Sequence, residues 1–160
     1  MVKGETAAFL MTNCPEYICC EYALAKIGAV RVPLAVLLAN DDHIYMLNKA
    51  ECTTLIYHQD YTQRVLDMVP QLTSVNQFIR IGEEVGLPQG HESLSAIIAS
   101  TSGSPDAVAI DPEDLCAIYF TGGTTGKPKG VMLSHRSWTY TYLMEMLELG
   151  LNWHENFLDR

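Results

Sequence analysis

The sequence is short of positive charge. Ten lysines and arginines stand against 19 aspartates and glutamates, a formal net charge of −9 over 160 residues. That balance argues against a nucleic-acid surface or a polybasic membrane patch, although a local positive cradle can still hold a small anion. Paired cysteines are also lacking. The five, at 14, 19, 20, 52 and 116, are odd in number and form no CxxC, which suits reduced thiols in a cytoplasmic setting better than a disulfide framework. The histidines at 43, 58, 91, 135 and 154 have no ligand spacing, so no metal cage made by this chain alone is expected. The most apolar stretch, "ALAKIGAVRVPLAVLLA", is broken by Lys26, Gly28, Arg31 and Pro33, and no transmembrane segment is expected. "MVKGETAAFLMTNCPEY" has neither the apolar core nor the cleavage site of a signal peptide. No internal repeat is visible.

What is present is the composition of a folded domain, 48% apolar and 18% charged. "AAFLMT" (7–12) reads as a short buried strand. "NCPEYICCEYALAKIG" follows as a helix, with Asn13 or Cys14 as cap, Pro15 in the first turn and Gly28 as stop. Ile18, Tyr22, Ala25 and Ala29 share a stripe expected to lie on a sheet. "AVRVPL" (29–34) is the next strand, and Asn40 caps a helix through "NDDHIYMLNKAE". Strands at 52–58 and 76–81 flank a helix that ends at Pro70, and 91–99 reads as a short helix. Residues 100–114 are polar and rich in Ser, Gly and Pro, a loop leading into 115–135. Alternating strands and helices imply an α/β layered fold with a largely parallel sheet and flanking helices.

The chemistry concentrates in "YFTGGTTGKPKGVMLSH" (119–135). Two strand-like runs, 115–120 and 130–135, enclose a loop, and a helix capped by Ser134 begins only afterwards. The Walker pattern fails at Thr121 and Pro128, and GxGxxG fails on glycine spacing. In those motifs a helix N-terminus meets the phosphate; here a strand follows. Gly122, Gly123 and Gly126 permit backbone shapes in which successive N–H groups converge on an anion. Thr121, Thr124 and Thr125 add hydroxyls, and Lys127 and Lys129 add charge about the stiffening Pro128. One lysine is expected to face the ligand and the other water. A tripolyphosphate is the guest this set suits, and a Gly- and Thr-rich hairpin without a ligand is the plain alternative.

"IYFTGGTTGKPKGVMLSH" resembles the phosphate-loop signature of the adenylate-forming (AMP-binding) superfamily, an apolar run followed by Thr-Ser/Gly-Gly-Thr-Thr-Gly-x-Pro-Lys-Gly. "NCPEYICCEYALAKIGAVRVPL" is similar to the same family's N-terminal helix and strand, and acyl-CoA and carnitine-type ligases resemble the chain more than peptide-synthetase domains do. The resemblance implies an ATP-dependent acid–thiol ligase that makes an acyl-AMP and passes the acyl group to CoA. By position, Thr121, Gly122, Gly123, Thr124, Thr125 and Gly126 would cradle the β- and γ-phosphates. Lys129 would offset charge on the leaving pyrophosphate, its catalytic role, while Lys127 takes the variable, solvated position and His135 merely starts a helix. Ser137 and "AVLLAN" depart from the family pattern, away from the loop.

The family's later motifs are not found here: Tyr-Gly-x-Thr-Glu with its magnesium-binding glutamate, Thr-Gly-Asp, the aromatic-histidine segment and the late catalytic lysine. The expectation is therefore that 1–160 is a fragment of the large N-terminal AMP-binding domain. ATP and a carboxylic acid would be its ligands, Mg2+ would be held outside this chain, and CoA would be the co-substrate. Tyr17, Tyr22, Trp138, Tyr142 and Met144 are expected to find partners in the remainder. A non-catalytic nucleotide-binding or interaction module is the alternative.

Overall fold

The computed structural model describes residues 1–102, 108–123 and 126–150. Seven strands are formed among them: β1 (Thr6–Leu10), β2 (Val30–Pro33), β3 (Thr54–His58), β4 (Gln77–Ile81), β5 (Glu92–Ser93), β6 (Leu115–Gly123) and β7 (Gly126–Ser134). They make one sheet in the order β5-β4-β3-β1-β2-β6-β7. Every neighbouring pair is parallel except β6 and β7, which form an antiparallel hairpin at one edge. The helices are α1 (Pro15–Ile27), α2 (Asn40–Lys49), α3 (Thr62–Met68), α4 (Leu94–Ser100) and α5 (His135–Glu148). The layered, largely parallel α/β fold expected from the sequence is the one observed.

Strand residues alternate between two cores, as the two-residue period of a strand requires. Ala8, Leu10, Val32, Leu55, Tyr57 and Phe78 meet Met46 and Leu47 of α2 and Val65 and Met68 of α3. Ala7, Phe9, Ile56, Ile79 and Ile81 face the other way, onto Cys20 and Leu24 of α1, with Leu94 and Ile97 of α4 packed alongside. Burial on both faces is why these strands read as continuous apolar runs with no alternation.

Local details refine the expected elements. Pro15 stands at the start of α1, and Gly28 ends it in the left-handed region at φ 69°. Cys14 is the N-cap, without a side-chain bond. The stripe on α1 is corrected: Ile18 and Tyr22 are exposed, and the sheet-facing side is Tyr17, Cys20, Leu24 and Ile27. Two apolar stripes compete on this helix, and the bulkier one, with Leu24 and Ile27 where the other offers Ala25 and Ala29, is the one that packs on the sheet. Asn40 is not the cap of α2 either. Ala39 occupies that position, and the Asn40 Oδ1 accepts from Arg64 Nε at 2.6 Å. Arg64 also donates to the carbonyls of Val36 and Leu38, so it holds the whole turn after β2. Pro70 lies in a short 3-10 turn (Val69–Gln71) that extends α3. The 91–99 segment divides into β5 and α4, with Ser93 Oγ accepting from Ala96 N at 3.4 Å as the cap.

A Cβ at position 28 would both strain the backbone and meet Lys3 Cγ at 2.9 Å. Gly28→Ala is expected to cost about 1–2 kcal/mol from the left-handed conformation, read as a lower midpoint in urea with an unchanged slope.

Candidate functional site

Open parallel sheets bind ligands at the carboxyl ends of their strands. Here that edge carries a cleft of about 680 Å³, lined by Met11 and Asn13 after β1, Leu34 and Val36 after β2, and Tyr119 and Phe120 of β6. Beyond Phe120 the chain runs directly into the glycine–threonine loop, so sheet polarity brings the loop and the cleft together.

The loop is the turn of the β6–β7 hairpin. Thr121 pairs with Lys129 and Gly123 with Gly126. Two steps on β6 thus match three on β7, and the extra residue is a bulge at Lys127–Pro128. The bulge has a chemical consequence. Residues two apart on a regular strand share a face, yet Lys127 and Lys129 do not. Lys129 lies opposite Thr121, on the face of Tyr119, whereas the Lys127 ammonium rests 4.8 Å from the ring centroid of Tyr45 on α2. The two lysines leave the hairpin on opposite sides, and the bulge is the reason.

Thr121, Gly122, Gly126, Lys127 and Lys129 are exposed. Thr124 and Thr125 lie outside the described residues. Gly122 lies beside the bulge, one residue before β6 ends, and Gly126, opposite Gly123, opens β7. No atom lies within 4 Å of a Cβ built at either position, so both border open space. The glycine that packing demands is Gly130, where a Cβ would come within 2.8 Å of Ile118 Cγ2.

The helix that follows offers no anion site. Ser134 caps α5 by accepting from Ser137 N at 3.2 Å, and the amides of His135 and Arg136 donate to Asp114 O and Pro112 O at 3.0 and 2.8 Å. Its first amides are committed to the chain itself, which agrees with the departure from the Walker pattern.

Behind the hairpin sits a group the sequence reading missed. Arg31, on β2, is 2% exposed and donates from Nη1 to Glu21 Oε1 of α1 at 2.6 Å. Its guanidinium carbon lies 3.8 Å from the ring centroid of Trp138 on α5, and Trp138 stacks on Tyr119 at 5.5 Å. Strand, both helices and the base of the hairpin thus converge on one cation. The signal was available: an arginine inside the apolar run "AVRVPL" needs a buried partner. Two of the expected external contacts are corrected accordingly. Trp138 is engaged within the chain, and Tyr17 packs edge-on against Phe9 at 5.2 Å. Tyr22, Tyr142 and Met144 remain exposed.

The titratable groups near the cleft are poor bases or nucleophiles. Burial pushes the Tyr17 hydroxyl up to about 12 and raises Tyr119 as well. The thiols of Cys20 and Cys52 are pushed up to about 11 and about 12 by burial, which leaves them protonated and inert.

Arg31→Met leaves Glu21 without its partner and is expected to cost roughly 2 kcal/mol, below the 3–5 of fully enclosed pairs; Glu21→Leu added to it should restore most of that loss in urea denaturation. His43, His91 and His135 all have their pKa lowered, in each case mainly by burial. Each is held neutral when folded and charges more readily when unfolded, so its stabilisation is present above pH 6.5 and is lost as pH falls below it. Melting temperatures measured from pH 7.5 downward are expected to drop once the pH passes below that value.

Comparison with known proteins accords with this geometry. The AMP-binding enzyme family profile matches residues 1–158. A crotonobetaine/carnitine–CoA ligase of Salmonella typhi is 31% identical over 135 residues, covering 83% of this chain and 26% of the relative. Among solved structures, a long-chain-fatty-acid–CoA ligase of Archaeoglobus fulgidus superposes with a TM-score of 0.84 at 32% identity, over 95% of this chain and 29% of that one. An anthranilate–CoA ligase in complex with anthranoyl-AMP gives 0.83 at 26%, over 89% and 27%. The chain spans about a quarter of the length of these relatives. With a profile match over nearly its whole length and these CoA-ligase relatives, this chain belongs to the AMP-binding enzyme family.

Proposed function

We propose that residues 1–160 form part of the large N-terminal domain of an ATP-dependent acid–thiol ligase, with the β6–β7 turn as its triphosphate cradle. The pairing of Thr121 with Lys129 on one exposed face, beside the cleft at the carboxyl edge, is the observation that supports this reading most. Gly122 and Gly126 border open space that phosphate oxygens could enter, and Gly123, Thr124 and Thr125 complete the motif between them in the sequence.

In the reaction so assigned, a carboxylate oxygen of the acid attacks the α-phosphorus of ATP. The bond from that phosphorus to the bridging oxygen breaks, acyl-AMP forms, and pyrophosphate departs with the electron pair. Lys129 offsets the charge that grows on the departing oxygens, and the Thr121 hydroxyl donates to them. In the second half-reaction the thiolate sulfur of CoA attacks the acyl carbon and AMP leaves. Magnesium in such chemistry screens the triphosphate. Among the described residues no three ligating side chains come together to hold it, so no step here passes through it. Among those residues no helix is long and apolar enough to cross a membrane, and a cytoplasmic location belongs to the same reading.

In a chain that includes the remaining domain, Lys129→Ala is expected to slow acid-dependent pyrophosphate exchange by about a hundredfold. Thioester formation from supplied acyl-AMP should change far less. Equal slowing of both halves would overturn the role given to Lys129. The 160 residues alone are expected to bind tripolyphosphate in calorimetry and to form no acyl-adenylate.

A further inference from the structure

We propose that Tyr45 is a positioning residue for the phosphate loop, holding Lys127 so that Lys129 is left on the opposite, ligand-facing side of the hairpin. The inference rests on the functional reading above and adds to it a residue from outside the loop. Tyr45 lies on α2, and its ring is half-buried against the core beneath that helix. One side of the ring is thereby fixed. The Lys127 ammonium stands 4.8 Å from its centroid, within the reach of a cation–π contact. Asp41, one turn earlier on α2, lines a separate groove with Tyr45 and Lys127, and Lys49 lines it too.

The register explains why this contact matters to the loop. Gly126 to Lys129 takes three steps where Thr121 to Gly123 takes two. A hairpin that slipped to remove the bulge would return both lysines to one face. Docking Lys127 on α2 opposes that slip. Hairpin residues nearer the sheet, Ile118 and Phe120, pack on the same core, but they precede the bulge and do not constrain it. Pro128 narrows the backbone choices within the bulge without choosing a side. Tyr45 is thus the contact from outside the hairpin that selects which lysine faces the phosphate.

The test uses the 160-residue chain, with hydrogen exchange of the 126–130 amides and calorimetry with inorganic tripolyphosphate as two separate readouts. Tyr45→Leu is expected to quicken exchange and weaken binding, each about threefold, the size of an exposed cation–π contact. Lys127→Met should match it, and the double variant should be no worse. Tyr45→Phe and Lys127→Arg should preserve both readouts, since a ring and a cation suffice. Unchanged exchange in Tyr45→Leu overturns the proposal. So does weaker binding in Lys127→Met with none in Tyr45→Leu, because Lys127 would then contact phosphate itself. If Tyr45→Leu fails to fold, the exposed Lys127→Met decides the exchange result. If the unmodified chain binds no tripolyphosphate, the cradle reading fails, while exchange still decides whether Tyr45 sets the register.

Discussion

A single buried cation ties the functional edge of this molecule to its core. Arg31 enters from β2, is neutralised by Glu21 of α1, and is covered by Trp138 of α5, which stacks on Tyr119. Burying a guanidinium is costly unless it is paired and enclosed. The sequence meets that requirement in part: Glu21 takes Nη1 and Trp138 covers one face, while among the described residues Nε and Nη2 have no hydrogen-bond partner. Between β2 and β6 the register runs from Arg31 to Ala117, so the hairpin's first strand is parallel-paired at the residue carrying the charge. Placement of the hairpin and satisfaction of the arginine are therefore one structural problem.

As the triphosphate cradle proposed above, the hairpin would differ from better-known phosphate loops in where its donors come from. A P-loop uses helix-terminal amides. In this chain the first amides of α5 are bonded to the carbonyls of Pro112 and Asp114, and the positive character of the helix start is spent locally. What remains for an anion is a turn with hydroxyls, open glycines and a lysine, in a protein with an excess of negative charge elsewhere. Two contacts tie the hairpin to its surroundings, the close approach of Gly130 to Ile118 and the Lys127 ammonium over Tyr45.

Much of the architecture was legible because its signals are local. Pro15 and Gly28 mark the ends of α1, Ser134 caps α5, and the apolar runs without alternation mark strands buried on both faces. The loop motif carries the family signature within ten consecutive residues, Thr121 to Gly130. What could not be read locally were choices between near-equal alternatives settled by neighbours distant in the chain. The stripe on α1 was one, since Ile18 and Tyr22 lose to Cys20 and Leu24 only once β1 is in place. The fate of Asn40 was another, drawn off by Arg64 from a helix that follows. The opposed lysines followed from a bulge, a register property that composition does not encode.

The order of the strands bears on how the chain is made. β1 precedes both of its partners in the sequence, yet it lies inside the sheet, with β2 on one side and β3 on the other. During translation it emerges with neither edge paired and must wait until both later strands are available. Parallel pairing of distant segments is slow because loop closure precedes any reward in contacts. A strand as apolar as "TAAFL" is sticky during that interval. The charges that flank it, Glu5 just before and Glu16 in the first turn of α1 after it, stand where gatekeepers against misassociation are placed.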